Sequence, residues 1–458
     1  MIARQAPAGV RGRLGPWALA ALVFFTTSGG PFGLEPLVGS VGAAWAVILI
    51  LLTPIVWSGP IALMAAELTT MMPVEGGYYV WVRETLGPFW AVQEAWWTIA
   101  YTLVLLAAFP VLFVNYLMYL APGLVDPSSL TSTGSGIPKW SAILIVLACA
   151  TLVNARGARS VGRSAVWTAA VVVGAFMVLV GYWTWMGAGQ SQLLAVLRGT
   201  FGSDARTEVL LGLSIAVFNF SGWDNASTYA AEVANPRRNY PVAIATALGV
   251  VVLIYLLPVL AGVSVTTDAR LWSANSGWPA IAEAIGGYWL GRLIAVGGLL
   301  SMWGLINAQL LYVSRLPFVL ALDGYLPGRL TIRSRRGDAP VNAVLLCSAL
   351  AAAFTLIPFE GLAVVQCLFY VAALTLEFIA LVLLRVRRPG AARAFRIPGG
   401  WPGLVLVCGL PALLAGAVLL ATLRDWRSFT SALAISGIIV LAGIALYLVR
   451  DARRQPTG

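Results

Sequence analysis

Two long apolar segments of this chain are interrupted by short glycine-containing stretches, which read SGGPFG at residues 28–33 and FNFSGW at residues 218–223. In hydrocarbon, an unpaired backbone N–H or C=O costs several kcal/mol. Irregular backbone at membrane depth therefore occurs only where protein encloses it or where it lines a cavity. The two breaks predict a ligand site, and their pairing is typical of transporters.

Composition indicates an all-α integral membrane protein. Of 458 residues, 60% are hydrophobic and only 10% are charged, whereas soluble domains carry roughly 25% charged residues. Apolar runs close to the ~20 residues that span a bilayer predict twelve transmembrane helices. They cover approximately residues 16–41, 45–72, 88–121, 137–154, 164–187, 208–233, 241–265, 279–321, 340–358, 362–384, 403–423 and 430–449.

Basic residues predict the orientation, because Arg and Lys are retained on the cytoplasmic side. Most of the 29 basic residues fall in alternate loops and in the tails, which places both termini in the cytoplasm of a multi-pass plasma (inner) membrane protein. This topology explains the net charge of +11, so we expect a lipid bilayer and no nucleic acid as partner. Residues 4–25 also resemble a signal peptide, but no small-residue cleavage pattern follows, and we expect the segment to be retained.

Several kinds of chemistry are excluded by residue type. The chain has no histidine, which removes His-based triads and His metal sites. The only lysine, Lys139, does not follow a phosphate-binding glycine loop, and the four cysteines lack metal-ligand spacing. We therefore expect no enzyme, no metal and no cofactor, and any transport would be secondary.

Both breaks are predicted to lie near the middle of the membrane. Ser28 lies twelve residues beyond Pro16, or ~18 Å at 1.5 Å per residue, within a core of ~30 Å. The second break lies a similar distance from Glu208, and the two segments cross in opposite directions, five segments apart. This arrangement is expected of two inverted five-helix repeats whose first helices are discontinuous.

Motifs along the whole chain resemble the amino acid–polyamine–organocation permeases, closest to their polyamine-uptake and L-type amino acid transporter-like branch. The matching stretches are SGGPFGLE at 28–35, EGGYYVWV at 75–82, LGPFW at 86–90, FPVLF at 109–113, WDNAST at 223–228 and NPRRN at 235–239. The resemblance implies alternating access in a LeuT-like ten-helix transport core at 16–384 with accessory helices 11 and 12 at 403–449. The cytoplasmic N-terminal tail would comprise residues 1–15, and the cytoplasmic C-terminal tail residues 450–458. A basic cytoplasmic loop would lie at 385–402.

Departures from the family pattern leave the substrate open between amino acids and polyamines. Amino acid members carry GSGIF at the first break, where amides bind a carboxylate; here Pro31 has no N–H, but Gly30, Phe32 and Gly33 keep theirs. The polyamine branch has third-helix aspartates where this chain has Leu105 and Asn115. The form of the second break is also closer to that of amino acid permeases.

The predicted substrate site consists of residues at and beside the breaks. They are Ser28, Gly29, Gly30, Phe32, Gly33, Glu35, Phe218, Asn219, Ser221, Gly222, Trp223 and Asp224. Trp223 is the predicted gate, although most of the 18 tryptophans are expected in the core or interfacial belt. Glu35 and Asp224 have alternative structural interpretations, as a helix-start carboxylate and an N-terminal cap.

Glu35, Glu67 and Asp224 are the predicted proton-coupling residues, because ionisable groups inside membrane spans are costly and point to function. Glu67 has no basic residue in its own span, and a hydrogen-bonded structural role is the alternative. We expect Glu94 to be solvated near the cytoplasmic surface, whereas Glu377 and the loops at 122–137 and 266–278 receive no role. A channel or a non-transporting membrane sensor that binds the same small molecules is the contrasting function.

Overall fold

The computed structural model describes residues 14–127, 136–187, 193–194, 196, 198, 205–273, 277–334, 338–356, 362–424 and 426–454. Most of the predicted N-terminal tail and the last four residues of the predicted C-terminal tail lie outside these ranges. The described residues are almost entirely helical. A single pair of two-residue parallel strands, Val125–Asp126 and Ile137–Pro138, is present among them.

The first half of the chain forms eight described helices. They are α1 (Pro16–Thr27), α2 (Glu35–Thr53), α3 (Gly59–Met71), α4 (Tyr78–Leu86), α5 (Pro88–Leu120), α6 (Lys139–Ala155), α7 (Ala158–Met186) and α8 (Ala205–Asn219). A π-helical segment, Pro54–Ser58, joins α2 to α3.

Eight more described helices follow the second break. They are α9 (Pro236–Val265), α10 (Gly277–Gly286), α11 (Tyr288–Val313), α12 (Arg315–Leu322), α13 (Val341–Phe354), α14 (Leu362–Arg387), α15 (Gly400–Arg424) and α16 (Trp426–Arg454). Short 3₁₀ turns occupy Asn225–Thr228, Ala230–Glu232 and Gly328–Thr331.

Each of the twelve predicted apolar segments coincides with one or more of these helices. Among the described residues, seven helical stretches are long and apolar enough to cross a membrane, and four further apolar helices are shorter. The structure is therefore that of a multi-pass, all-α membrane protein. The division into twelve crossings and two inverted repeats stays a prediction.

The first break separates α1 from α2, as the sequence predicts. Helix α2 then bends at Gly42, whose φ of 75° and ψ of 168° are non-helical. A φ in this range favours glycine, which lacks a Cβ. The bend separates a short half-helix, which begins at Glu35, from the second predicted segment. That segment continues through the π-helical segment into α3.

Helix α1 lies inside the bundle, where it packs against α7, α9 and α11. All its residues from Leu19 to Thr27 are buried. Helix α2 packs against α8, while α11 packs against α5 and α7. Both breaks are thus enclosed by other helices, as irregular backbone requires at membrane depth.

Candidate functional site

The two breaks contact each other directly. The Nδ2 atom of Asn219 donates a hydrogen bond of 3.1 Å to the carbonyl oxygen of Gly33. Gly222 has φ +100°, and a Cβ at this position would collide with the carbonyl oxygen of Thr26. Only glycine combines this backbone conformation with so close an approach. The structure therefore brings the two predicted stretches together at one place.

Backbone amides at the first break are largely occupied by the chain's own side chains. The N–H of Gly30 donates to Ser28 Oγ at 3.0 Å, and that of Gly33 donates to Glu35 Oε2 at 2.6 Å. The carbonyl oxygen of Gly29 accepts a hydrogen bond from Ser301 on α11. Gly30 and Gly33 keep their N–H groups, as the sequence predicts, but in this structure a neighbouring serine and glutamate accept their hydrogen bonds.

Glu35 links the first break to α10. Its second oxygen, Oε1, accepts a 3.0 Å hydrogen bond from the backbone N–H of Trp278, and Trp278 Nε1 donates to the carbonyl oxygen of Pro31 at 2.7 Å. Both carboxyl oxygens of Glu35 therefore already have partners. The loop at 266–278, which the sequence left without a role, supplies this contact.

Aromatic rings surround the first break beside Glu35. Phe32 makes edge-to-face contacts with Tyr116 at 5.6 Å and with Phe176 at 5.3 Å between ring centroids. Phe176 in turn contacts the ring of Trp278 at 5.4 Å. We call these four rings the aromatic cover. Such contacts stabilise packing beyond the area they bury.

The second break is held by side chains from other helices. Tyr255 on α9 donates to the carbonyl oxygen of Asn219 at 2.8 Å, and Ser58 donates to that of Phe220 at 3.1 Å. The hydroxyl of Ser221 accepts from Trp57 Nε1 at 3.0 Å. These contacts give the freed backbone the partners that it needs inside a membrane.

Two predicted site residues of the second break take different places. Phe218 is 46% exposed, whereas Asn219 and Phe220 beside it are buried, so its side chain is not enclosed with the other predicted residues. Trp223 is fully buried and its Nε1 donates to the carbonyl oxygen of Phe220 at 2.8 Å. A gating role for Trp223 stays a prediction.

Asp224 is connected to the tenth predicted segment by one tyrosine. The hydroxyl of Tyr370 on α14 donates to Asp224 Oδ1 at 2.9 Å and accepts the backbone N–H of Gly222 at 2.9 Å. Asp224 makes no capping hydrogen bond, and 3₁₀ turns follow it instead of an inner α-helix. The alternative interpretation of Asp224 as a helix cap is therefore wrong.

Glu94 lies in the protein interior and not near solvent. Its side chain is fully buried, because α4, α14 and α16 pack against the beginning of α5. Glu377 is buried as well, and it lies within electrostatic range of both Glu94 and Asp224. We call Glu94, Asp224 and Glu377 the central acids. No Arg or Lys of the described part of the chain forms an ion pair with them.

Glu67 has no basic residue in its own span, but arginines from elsewhere in the chain pair with it, which favours the structural alternative over proton coupling. Arg385 Nε and Nη2 donate to its two oxygens at 2.6 and 2.5 Å, and Arg393 Nε lies 3.1 Å from Oε1. The backbone N–H of Ile397 also donates to Oε2 at 2.8 Å. The basic predicted loop at 385–402 thus folds back onto Glu67, which makes this residue a structural anchor for that loop.

Three ion pairs and a backbone hydrogen bond connect the turns after the second break with neighbouring elements. Arg315 Nη2 lies 2.7 Å from Glu232 Oε1, Arg83 Nη1 lies 2.5 Å from Asp323 Oδ2, and Arg333 pairs with Glu75. The backbone N–H of Gly76 donates to the carbonyl oxygen of Thr228 at 2.8 Å. We call these contacts the ionic closure. They join α4, α12 and the turns after the second break.

Sequence reasoning missed the tyrosines around the central acids. Tyr78, Tyr101, Tyr312 and Tyr370 come from α4, α5, α11 and α14 and lie within electrostatic range of Asp224. Tyr101, Tyr312 and Tyr370 lie in predicted apolar segments, and Tyr78 lies in the stretch at 75–82. In such sequence one tyrosine looks like any core aromatic residue, and only the meeting of the four in space distinguishes them.

Comparisons with known proteins identify the family of the chain. A family model described as amino acid permease matches residues 14–450. The chain is 34% identical to polyamine transporter RMV1 of Arabidopsis thaliana over 88% of its length and 79% of that protein. It is 35% identical to polyamine transporter PUT1 of Oryza sativa subsp. japonica, covering 89% and 73% of the two chains.

A bacterial relative is more distant. Branched-chain amino acid permease BcaP of Bacillus subtilis (strain 168) is 24% identical over 80% of each chain. The family match extends over nearly all of the chain, and the polyamine transporters are matched over more than two thirds of their length. The protein therefore belongs to the amino acid permease family of the amino acid–polyamine–organocation superfamily.

Proposed function

We propose that this protein is a proton-coupled secondary permease for polyamines, which bind between the two breaks. It would work by alternating access in a twelve-helix inner-membrane fold with both termini in the cytoplasm. The aromatic cover and the ionic closure would open in turn. The names of the relatives RMV1 and PUT1 support the substrate class.

One observation carries the choice of polyamines over amino acids. Ser28 and Glu35 occupy two of the three amides that would bind a substrate carboxylate at the first break. The carboxylate of Glu35 also lies beside the place where a substrate carboxylate would bind. Two negative charges repel each other strongly where water is scarce. A polyamine has no carboxylate, so this break does not disfavour it.

Asp224 supports the binding of an ammonium group. It is 1% exposed and lies at the second break. The hydroxyl of Tyr370 donates a hydrogen bond to it, and no basic residue of the described chain pairs with it. Buried ionisable groups inside membrane proteins are costly and mark substrate or ion pathways. An ammonium group of the substrate would supply the positive charge that Asp224 lacks among its neighbours.

Amino acids are the second candidate. The N–H of Phe32 is the third amide of the first break, and Gly222-Trp223-Asp224 resembles the form found in amino acid permeases. The relative BcaP is named as a branched-chain amino acid permease. A neutral amino acid would have to bind its carboxylate through Phe32 alone, close to Glu35.

Coupling to protons is assigned to acids at the site. Asp224 remains the first candidate, because its neighbours Glu94 and Glu377 are also acidic. Glu35 is the second candidate. Opening of the aromatic cover would break its hydrogen bonds with Gly33 and Trp278, and its carboxylate could then take up a proton. Glu67 is not proposed, since two arginines hold it.

Uptake into proteoliposomes with an imposed pH gradient tests the proposal. We expect saturable accumulation of labelled putrescine or spermidine that collapses with the gradient and is lost in Asp224→Asn. Glu84→Asn, at a partly exposed ion pair with Arg388, should retain it. Accumulation of leucine without polyamines would replace the proposal by the amino acid alternative. Binding without accumulation of any substrate would favour a sensor.

A further inference from the structure

Two of the central acids, Glu94 and Glu377, carry carboxyl oxygens without a hydrogen-bond partner. The Oε2 atoms of both are buried and unpartnered within the described part of the chain, whereas Glu94 Oε1 accepts from Thr98 at 3.2 Å. Their side chains are 0% and 1% exposed. A buried acceptor without a partner is strongly unfavourable, so these positions suit a ligand that donates hydrogen bonds or carries positive charge.

The central acids come from three separate elements. Glu94 lies on α5, Glu377 lies on α14 and Asp224 lies at the second break; each pair is within electrostatic range. Nevertheless, no three acidic or cysteine side chains of the described residues are close enough to hold one metal ion. The negative charges are therefore spaced apart, which suits a ligand with more than one cationic group.

Aromatic side chains complete the surroundings of these acids. The buried hydroxyl of Tyr78 has no hydrogen-bond partner among the described residues, and this side chain lies within electrostatic range of Glu94 and Asp224. Tyr101 contacts Tyr370 edge to face at 5.6 Å between ring centroids. Aromatic rings attract organic cations through their π faces, so the lining favours alkylammonium groups over hydrated inorganic ions.

We propose that Glu94 and Glu377 bind the second ammonium group of an extended oligoamine whose first ammonium group binds Asp224. The inference rests on the proposed function and adds the residues that distinguish substrates by length and by number of charges. It makes the two glutamates specificity determinants. A monoamine of similar length would use Asp224 alone and would not benefit from them.

The test is counterflow of labelled spermidine in proteoliposomes that contain the full chain, with unlabelled putrescine or butylamine as competitor. Hydrogen bonds to charged groups contribute more than bonds between neutral groups. We therefore expect Glu94→Gln and Glu377→Gln each to weaken putrescine competition about tenfold or more, since 1.4 kcal/mol is tenfold. Competition by butylamine should stay within about twofold, a difference below 0.5 kcal/mol. Glu84→Gln, a glutamate paired with Arg388 at the surface, is the matched control.

Thermal unfolding in detergent separates binding from folding, because a variant with an unchanged or higher midpoint remains folded. Equal weakening of putrescine and butylamine, or no weakening of either, would overturn the inference while wild-type counterflow upholds the proposed function. Loss of proton-driven accumulation with normal putrescine competition would also overturn it and assign the glutamates to coupling. Wild-type protein that exchanges no amine would overturn both.

Discussion

Two sets of buried acids in this protein have opposite surroundings. Glu67 and Glu232 are held by arginines, with closest ion-pair distances of 2.5 and 2.7 Å, and we call them the arginine-paired acids. The central acids are equally buried, yet no basic residue of the described chain pairs with them. The chain has 29 basic residues, so the difference does not result from a shortage of cations.

The contrast separates structure from function. The arginine-paired acids join elements that are distant in sequence, since Glu67 on α3 binds Arg385 and Arg393 after more than three hundred residues. Removing one partner from a buried pair leaves an uncompensated charge. No ion pair of the described residues links the central acids to another element, and the proposed cationic substrate would supply their missing counter-charge.

Breaking an arginine-paired acid should have the largest effect on stability. Arg315→Leu leaves Glu232 buried without its cation, and we expect a loss of about 3–5 kcal/mol of unfolding free energy. Thermal unfolding in detergent measures it. Arg388→Leu, which removes a surface partner of Glu84, is the control and should cost at most about 1 kcal/mol. Equal losses in the two variants would contradict the assignment of Glu232 to structure.

Removing the tyrosine hydroxyl at the second break should have an intermediate effect. Tyr370→Phe leaves the N–H of Gly222 and one oxygen of Asp224 without their partner, which costs about 1–3 kcal/mol. We expect lower thermal stability together with weaker spermidine binding. Tyr288→Phe, at an exposed tyrosine on α11, is the matched control. A variant that loses stability but binds spermidine normally would limit Tyr370 to a structural role.

Removing the hydrogen bond between the two breaks should lower the unfolding free energy less. Asn219→Ala removes the hydrogen bond to the carbonyl oxygen of Gly33, and a typical bond of this kind contributes about 0.5–1.5 kcal/mol. Because the bond joins the two breaks, we expect a slower transport rate with a modest fall in unfolding midpoint. Ser214→Ala, which removes an intrahelical bond on the same helix, is the control. An unchanged rate would show that this contact does not couple the breaks.

Removing a central acid should have the smallest effect on stability. Glu94→Gln keeps the shape of the side chain and takes away a buried charge without an ionic partner, so we expect the unfolding midpoint in the absence of substrate to stay constant or rise. Glu67→Gln is the direct comparison and should lower it clearly. A similar fall in both variants would erase the contrast between the two sets of acids.

Much of the fold follows from local sequence. The glycine and proline residues at 28–33 and the glycine at 222 mark the breaks, because backbone conformation is a local property. The apolar runs likewise mark the helices. The sequence also identifies Asp224, which lies directly beside Gly222.

Residues whose role depends on distant partners were predicted less well. The position of Glu94, six residues beyond Pro88, predicts that it lies near solvent. Helix α5, however, has 33 residues and at 1.5 Å per residue is about 50 Å long, longer than the bilayer core. Its beginning is covered by α16, where Ile439 accepts a hydrogen bond from Trp96. A depth estimated by counting residues along one helix does not take account of other helices that cover it, and the sequence does not show which helices these are.

Equilibrium binding of spermidine and of leucine to the purified protein in detergent tests the central claim most directly. The account predicts that spermidine binds to the wild-type protein, that Asp224→Asn abolishes this binding, and that leucine neither binds nor competes. Leucine binding that spermidine does not displace, or spermidine binding that survives Asp224→Asn unchanged, would contradict it.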